Sequence, residues 1–217
     1  MITLYNVPVS SYGSKVIILL RHKGLEWTEL PPPEGYGSPA YKKIIPAGTV
    51  PAIQHEGISL ADSEAISEYL NELYPDPPML PSALVARAQA REISRFHDTR
   101  LEPVLRSFFG QVAPDQRNPE FIAAQATLLQ DRLDQLAVIA HPAPFMSGDT
   151  LGLADCGFPA SFAILELLQT VIGLNVTLPA RLAAYSKSLN AHSSVSDEVT
   201  RYRAASIDWA RSKGADI

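Results

Sequence analysis

The sequence predicts a small α/β unit followed by an all-helical one, and three observations carry that reading. Strand-like apolar alternation is confined to roughly the first 80 residues. Four prolines then fall within the eight residues Tyr74–Pro81, a composition that cannot continue a helix and reads as an extended linker. Beyond that linker, apolar residues recur only at helical spacing. The expected division is residues 1–80 and 81–217.

Ile2 and Leu4 alternate with Thr3 and Tyr5, as in a short strand. Val16, Ile17, Leu19 and Leu20 form a helical apolar cluster that ends near Gly24, a common helix stop. Leu25–Leu30 is compatible with a second strand, closed by Pro31-Pro32-Pro33 because proline cannot donate to a sheet ladder. A short helix is expected around Tyr41–Ile44. Val50–Gln54 and Gly57–Leu60 read as a strand pair joined at His55-Glu56-Gly57. Asp62-Ser63, both favoured caps, opens a helix whose apolar side is Ala65, Ile66, Tyr69, Leu70 and Leu73. In the second part, Ile93, Phe96, Leu101, Val104, Leu105 and Phe108 keep helical spacing, with a kink expected at Pro103. Asn118-Pro119 supplies a cap and a first-turn proline. Phe158–Leu168 is apolar nearly all round, as a central buried helix would be. Two further helices are separated by His192-Ser193-Ser194.

Composition excludes several classes. The 217 residues can bury a real core, as one large domain or two small ones. Eighteen Lys and Arg against 23 Asp and Glu give a net charge of −5, without the basic footprint of a nucleic-acid binder. A hydrophobic share of 46% disfavours disorder. One cysteine, Cys156, rules out an intrachain disulfide framework. No continuous apolar run reaches the 18 or so residues of a bilayer span, and Met1–Tyr5 carries no basic leader. A cytoplasmic protein without membrane contact is expected.

The five histidines are scattered without metal-ligand spacing, so no metal is expected. No phosphate-cradling glycine loop is present either, since Gly35-Tyr36-Gly37 lacks the following Lys-Ser/Thr. Three features stand out in the first 80 residues. Ser10-Ser11-Tyr12-Gly13 lies between the first strand and first helix, where a hydroxyl serves as a cap or as a donor to a bound anion. Gly48-Thr49-Val50-Pro51 sets a proline directly before a strand, either a plain turn or a place for a cis bond. Asp62-Ser63 is a capped helix start and also a second anion site beside a carboxylate that could hold an ammonium group.

In this order and spacing the three features resemble the cytosolic glutathione transferases, over essentially the whole chain. Ser10–Val16 is similar to the Ser-x-x-x-x-Arg/Lys-Val stretch of the serine-type classes (tau, theta, zeta and phi). Pro46–Ile53 is similar to their Asn-Pro-x-Gly-x-Val-Pro-x-Leu segment, and Leu60–Ile66 to their Glu/Asp-Ser-x-Ala-Ile motif. Gly148–Asp155 resembles the family's buried helix-capping motif, with Asp155 as its acidic member. The resemblance implies a thioredoxin-like N-terminal domain, binding glutathione, and an all-α C-terminal helical bundle domain that contributes the electrophile site. It implies that Thr49, Val50, Pro51, Asp62 and Ser63 bind glutathione, with Pro51 cis. Ser10, or Ser11 beside it, would donate to the sulfur. Tyr12 and Phe108 would face a hydrophobic small-molecule electrophile, although core packing reads equally well for Phe108 and Phe109. A homodimer is expected on the same ground.

Three positions depart from the family pattern. Ile45 stands where Asn is usual. Gly152 replaces the usual Ser/Thr cap and cannot return a side-chain bond. Tyr12 stands where the zeta isomerases and reductive dehalogenases carry a cysteine. The implied function is conjugation of the glutathione thiolate to hydrophobic electrophiles. Glutathione-dependent isomerisation, dehalogenation or ether cleavage on an aromatic catabolite is the alternative, and a non-catalytic binding protein the third reading. The magnitudes suffice for conjugation. A free thiol has a pKa of about 8.5, and lowering it by two units takes about 2.7 kcal/mol of preference for the anion. A hydrogen bond to a charged group supplies about 1.5–3 kcal/mol and a helix N-terminus about 0.3–1. One serine at a helix start is enough.

Overall fold

Ile2 and Leu4 of strand β1 (Ile2–Tyr5) are almost fully covered, because β1 lies inside a four-stranded sheet rather than at its edge. The computed structural model, which describes residues 1–217, orders that sheet β2-β1-β3-β4. Strand β2 (Trp27–Leu30) pairs parallel to β1, while β3 (Ala52–His55) pairs antiparallel to β1 and β4 (Ile58–Ala61) antiparallel to β3. A parallel pair needs a crossover, and helix α1 (Ser11–His22) supplies it. Val16–Leu20 are all 0% exposed, five consecutive residues that no two-sided packing would hide. Helix α1 also packs against α3 (Ser63–Leu73) and the helices α7 (Phe158–Ile172) and α9 (Ser193–Ser212).

The short helix α2 (Pro39–Lys42) starts earlier than its apolar residues suggest, because Ser38 accepts from Tyr41 N at 3.0 Å and Pro39 fits the first turn. Asp62 caps α3 as expected, its Oδ1 accepting from Glu64 N at 2.9 Å and Ala65 N at 3.0 Å.

After the proline segment the chain is helical. Helix α4 (Leu84–Phe96) runs through a widened π turn, His97–Leu101, into α5 (Glu102–Ser107). The interruption expected at Pro103 therefore begins upstream of it. Pro103 sits in the first turn of α5, where the donor it lacks is least missed, and the wide turn absorbs the mismatch. Helices α6 (Pro119–Ile139) and α8 (Ala180–Ala191) complete the bundle around α7. The stretch Leu153–Ile172 is apolar and long enough to cross a bilayer, yet 72% of it is buried inside the fold, as a core helix is. Asp155, fully buried, accepts from Gly152 N at 2.8 Å, Met146 N at 2.9 Å and the Tyr185 hydroxyl at 2.7 Å. Glycine at 152 leaves the reciprocal bond unmade, and Tyr185 takes up the spare carboxylate capacity. Burial lifts the Asp155 carboxyl to about 6 against the downward pull of those three donors.

The α/β part and the helices meet on buried charge. Lys15 of α1, 0% exposed, donates to Glu64 of α3 at 2.6 Å, to Asp98 of the π turn at 2.8 Å and to Ser94 at 3.2 Å. Beside it His97 meets Asp98 through Nδ1 and Ser161 of α7 through Nε2, both at 2.8 Å, and Gly157 makes room because a Cβ there would lie 2.6 Å from the His97 ring. Burial works to raise the Asp98 carboxyl, but the His97 bond and the Lys15 charge outweigh it and hold the group down at about 2. An unfolded carboxyl titrates near 3.9. The folded value is depressed, so this stability is present above about pH 4 and lost as pH falls through about 2. The gap corresponds to roughly 2.5 kcal/mol. Urea titrations at pH 5, 3 and 2 should show Asp98→Asn flattening the acid loss of stability by about that amount. An acid slope identical to wild type would remove Asp98 from the account.

Candidate functional site

Ser10 is the N-cap of α1, and its Oγ accepts from Gly13 N at 3.0 Å. Gly13 is required there, since a Cβ would lie 1.9 Å from Asn6 Oδ1. The cap takes one acceptor lone pair of the Ser10 hydroxyl and leaves its hydrogen as a donor. Ser10 lines a cavity of about 290 Å³ together with Val7, Val9, Tyr12, Phe109 and Trp209. A second cavity, of about 580 Å³, is lined by Pro51, Asp62, Ser63, Arg95, Asp98 and Thr99. Tyr12, Thr49, Val50 and Arg106 border both, so the two are halves of one cleft between the sheet and the helices.

The cleft gathers Ser10, Tyr12, Thr49, Val50, Pro51, Asp62 and Ser63. The Val50–Pro51 peptide bond is cis. Val50 makes no backbone hydrogen bond in its loop, so its N–H and C=O are free. Asp62 caps α3 through Oδ1 alone, leaving Oδ2 uncommitted, and holds φ 83°, a region costly for a non-glycine residue and tolerated mostly at functional positions. The Tyr12 hydroxyl donates to the Asp98 carbonyl at 3.0 Å, and burial together with the Glu102 and Asp98 charges pushes its pKa well up. Tyr12 therefore stays a neutral phenol whose hydrogen is spent.

Two expected residues lie elsewhere. Ser11 is 1% exposed and its hydroxyl donates to buried Glu102, on the face of α1 turned toward α5 and α7. Its donor is committed, so it is no alternative to Ser10 in the cleft. Phe108 is 0% exposed in the core; its neighbour Phe109 forms the wall, 5.0 Å from Trp209 between ring centroids. Cys156 is buried, and burial drives its thiol pKa far up, which leaves it inert. Sequence reasoning missed Arg106, Trp209 and Tyr36. Arg106 had one available signal, its place on the same helical run as the wall residue Phe109.

The family model for the glutathione S-transferase N-terminal domain matches residues 4–78. Glutathione S-transferase Z2 of Arabidopsis thaliana is 31% identical over 159 residues, covering 70% of this chain and 71% of that protein. The chain belongs to the cytosolic glutathione transferase family. A probable maleylacetoacetate isomerase of Caenorhabditis elegans is 33% identical to this transferase-family chain over 166 residues, covering 66% of it and 73% of the relative. The tau-class transferase of mango, Mangifera indica, shares the fold with a TM-score of 0.78 at 22% identity, covering 95% of this chain and 97% of that one. The thioredoxin-like unit with its helical partner is thus the transferase fold, and the cleft lies where that fold's two parts meet.

Proposed function

We propose that this protein is a glutathione-dependent enzyme in which Ser10 activates the glutathione thiol for attack on a hydrophobic electrophile. The observation that carries the reading is the Ser10 hydroxyl, fixed in place by the bond it accepts from Gly13 N and free as a donor in the cleft. In the larger cavity the Ser63 hydroxyl and N–H suit the γ-glutamyl carboxylate, and the free Oδ2 of Asp62 suits its ammonium. The unpaired N–H and C=O of Val50 suit the cysteinyl backbone. That path brings the sulfur to Ser10, facing the apolar wall of Phe109, Ile164 and Trp209. The hydroxyl then stabilises the thiolate, which forms the new carbon–sulfur bond while the displaced electron pair departs with the leaving group, or moves out of an activated double bond onto its electron-withdrawing group and is protonated there.

A second reading is thiolate-assisted isomerisation, in which the sulfur adds to an activated double bond, the bond rotates and the sulfur is expelled. The relative named as a probable maleylacetoacetate isomerase favours it, while Tyr12 in place of the cysteine speaks against it. Stoichiometry separates the two. Conjugation consumes one glutathione per product, and isomerisation regenerates it. With aryl halide and activated-alkene acceptors we expect glutathione loss to match product formation, detected as the conjugate by mass spectrometry. Catalytic turnover with no net glutathione loss would select the isomerase instead. Glutathione at millimolar concentration should also raise Tm, as any ligand of the native state does; an unmoved Tm would favour the non-catalytic binding protein.

A further inference from the structure

We infer that Arg106 receives a carboxylate of the second substrate, so that the acceptor is an apolar electrophile carrying one anionic group. The inference rests on the glutathione reading above. Arg106 is the only charged residue lining the smaller cavity, whose other walls include Val7, Val9, Phe109, Ile164 and Trp209. Its guanidinium lies 5.8 Å from the Tyr12 ring centroid and 5.4 Å from that of Phe109, two side chains that line the same cavity.

Arg106 is the one cation at the cleft without an acidic partner. Arg95 lies 3.5 Å from Asp98, Asp98 lies 2.8 Å from Lys15, and Asp62 caps α3. Arg106 makes no ion pair and no hydrogen bond. The nearest acid on its own helix, Glu102, is 0% exposed and turned inward, its two oxygens taken by the Ser11 and Ser161 hydroxyls. Arg106 is exposed at the cleft and hydrated in the free protein, and a wholly apolar acceptor beside it would leave its donors to that water alone. A carboxylate would replace that water with two parallel charge-assisted bonds, which the planar guanidinium is shaped to give. The same contact orients the acceptor, placing its apolar body against Phe109 and Trp209 and its reacting carbon toward Ser10.

The test compares 4-chloro-3-nitrobenzoate with its methyl ester as acceptors. In both, the thiolate forms the carbon–sulfur bond and chloride leaves with the carbon–chlorine pair, so the mutant-to-wild-type ratio for each compound cancels intrinsic reactivity. In Arg106→Met the acid-to-ester ratio of kcat/KM should fall about 10- to 100-fold, chiefly through KM, the range of one hydrogen-bonded charge. Arg106→Lys should recover part of it. Binding of the unreactive 3-nitrobenzoate and its methyl ester to the glutathione-saturated protein, by calorimetry, gives the same comparison without turnover. An unchanged ratio in both variants, with glutathione still bound, would overturn the inference. So would a rise in the glutathione Kd with the ratio intact, which would assign the cation to glutathione instead. Failure of glutathione to bind the wild-type protein would remove the underlying reading as well, and it is seen separately in the titration without acceptor.

Discussion

Lys15→Met should lower the free energy of unfolding by about 3–5 kcal/mol, the loss that follows when one partner of a buried charge cluster is removed. Lys15 is 0% exposed and closes three contacts, to Glu64, Asp98 and Ser94. Methionine fills most of its volume, so the effect isolates the charge. Glu64 and Asp98 are then left as like charges in a poorly solvated site, on two helical segments that the lysine holds to α1. Adding Glu64→Gln and Asp98→Asn to Lys15→Met should restore part of the loss, because the repulsion between the two carboxylates disappears. Urea denaturation at neutral pH measures both. A loss under about 1 kcal/mol for the single variant would mean that the cluster is solvated and does not join the two parts.

The second large effect is on catalysis. Ser10→Ala should lower kcat/KM by about 10- to 100-fold with any accepted electrophile, the worth of one hydrogen bond to a charged sulfur. The same change removes the cap on α1 and costs about 1 kcal/mol of stability, which is too little to unfold the protein and can be corrected for by measuring Tm. Ser10→Thr keeps both the cap and the hydroxyl and should retain most activity. Ser11→Ala should behave in the opposite way, reducing stability while sparing the chemistry, because its hydroxyl is committed to Glu102.

Much of the site was legible because its parts are local. The Ser10 cap, the proline at 51 and the Asp62-Ser63 helix start each announce themselves within four residues, and the order of strands and helices around them is set by short-range periodicity. Boundaries moved where backbone chemistry intervened. Strand β3 begins at Ala52 rather than Val50, because Pro51 has no N–H for the ladder. The choice between Ser10 and Ser11 needed the phase of α1 against α5 and α7, which no local pattern encodes. The same holds for Phe108 and Phe109, adjacent residues that face opposite environments. Nothing local in the sequence marks Lys15, Glu64 and Asp98 as partners. Their separations of 49 and 83 residues make the pairing a product of the fold alone. Arg106 and Trp209 reach the cleft by the same route, from helices distant in sequence.

The most direct test of the account is the pKa of the glutathione thiol in the wild-type complex and in Ser10→Ala, followed by thiolate absorbance against pH. The account predicts a bound pKa one to two units below the free value of about 8.5, rising most of the way back in the variant. A bound pKa equal to that of the free thiol, or a lowered one that survives the loss of Ser10, would contradict it.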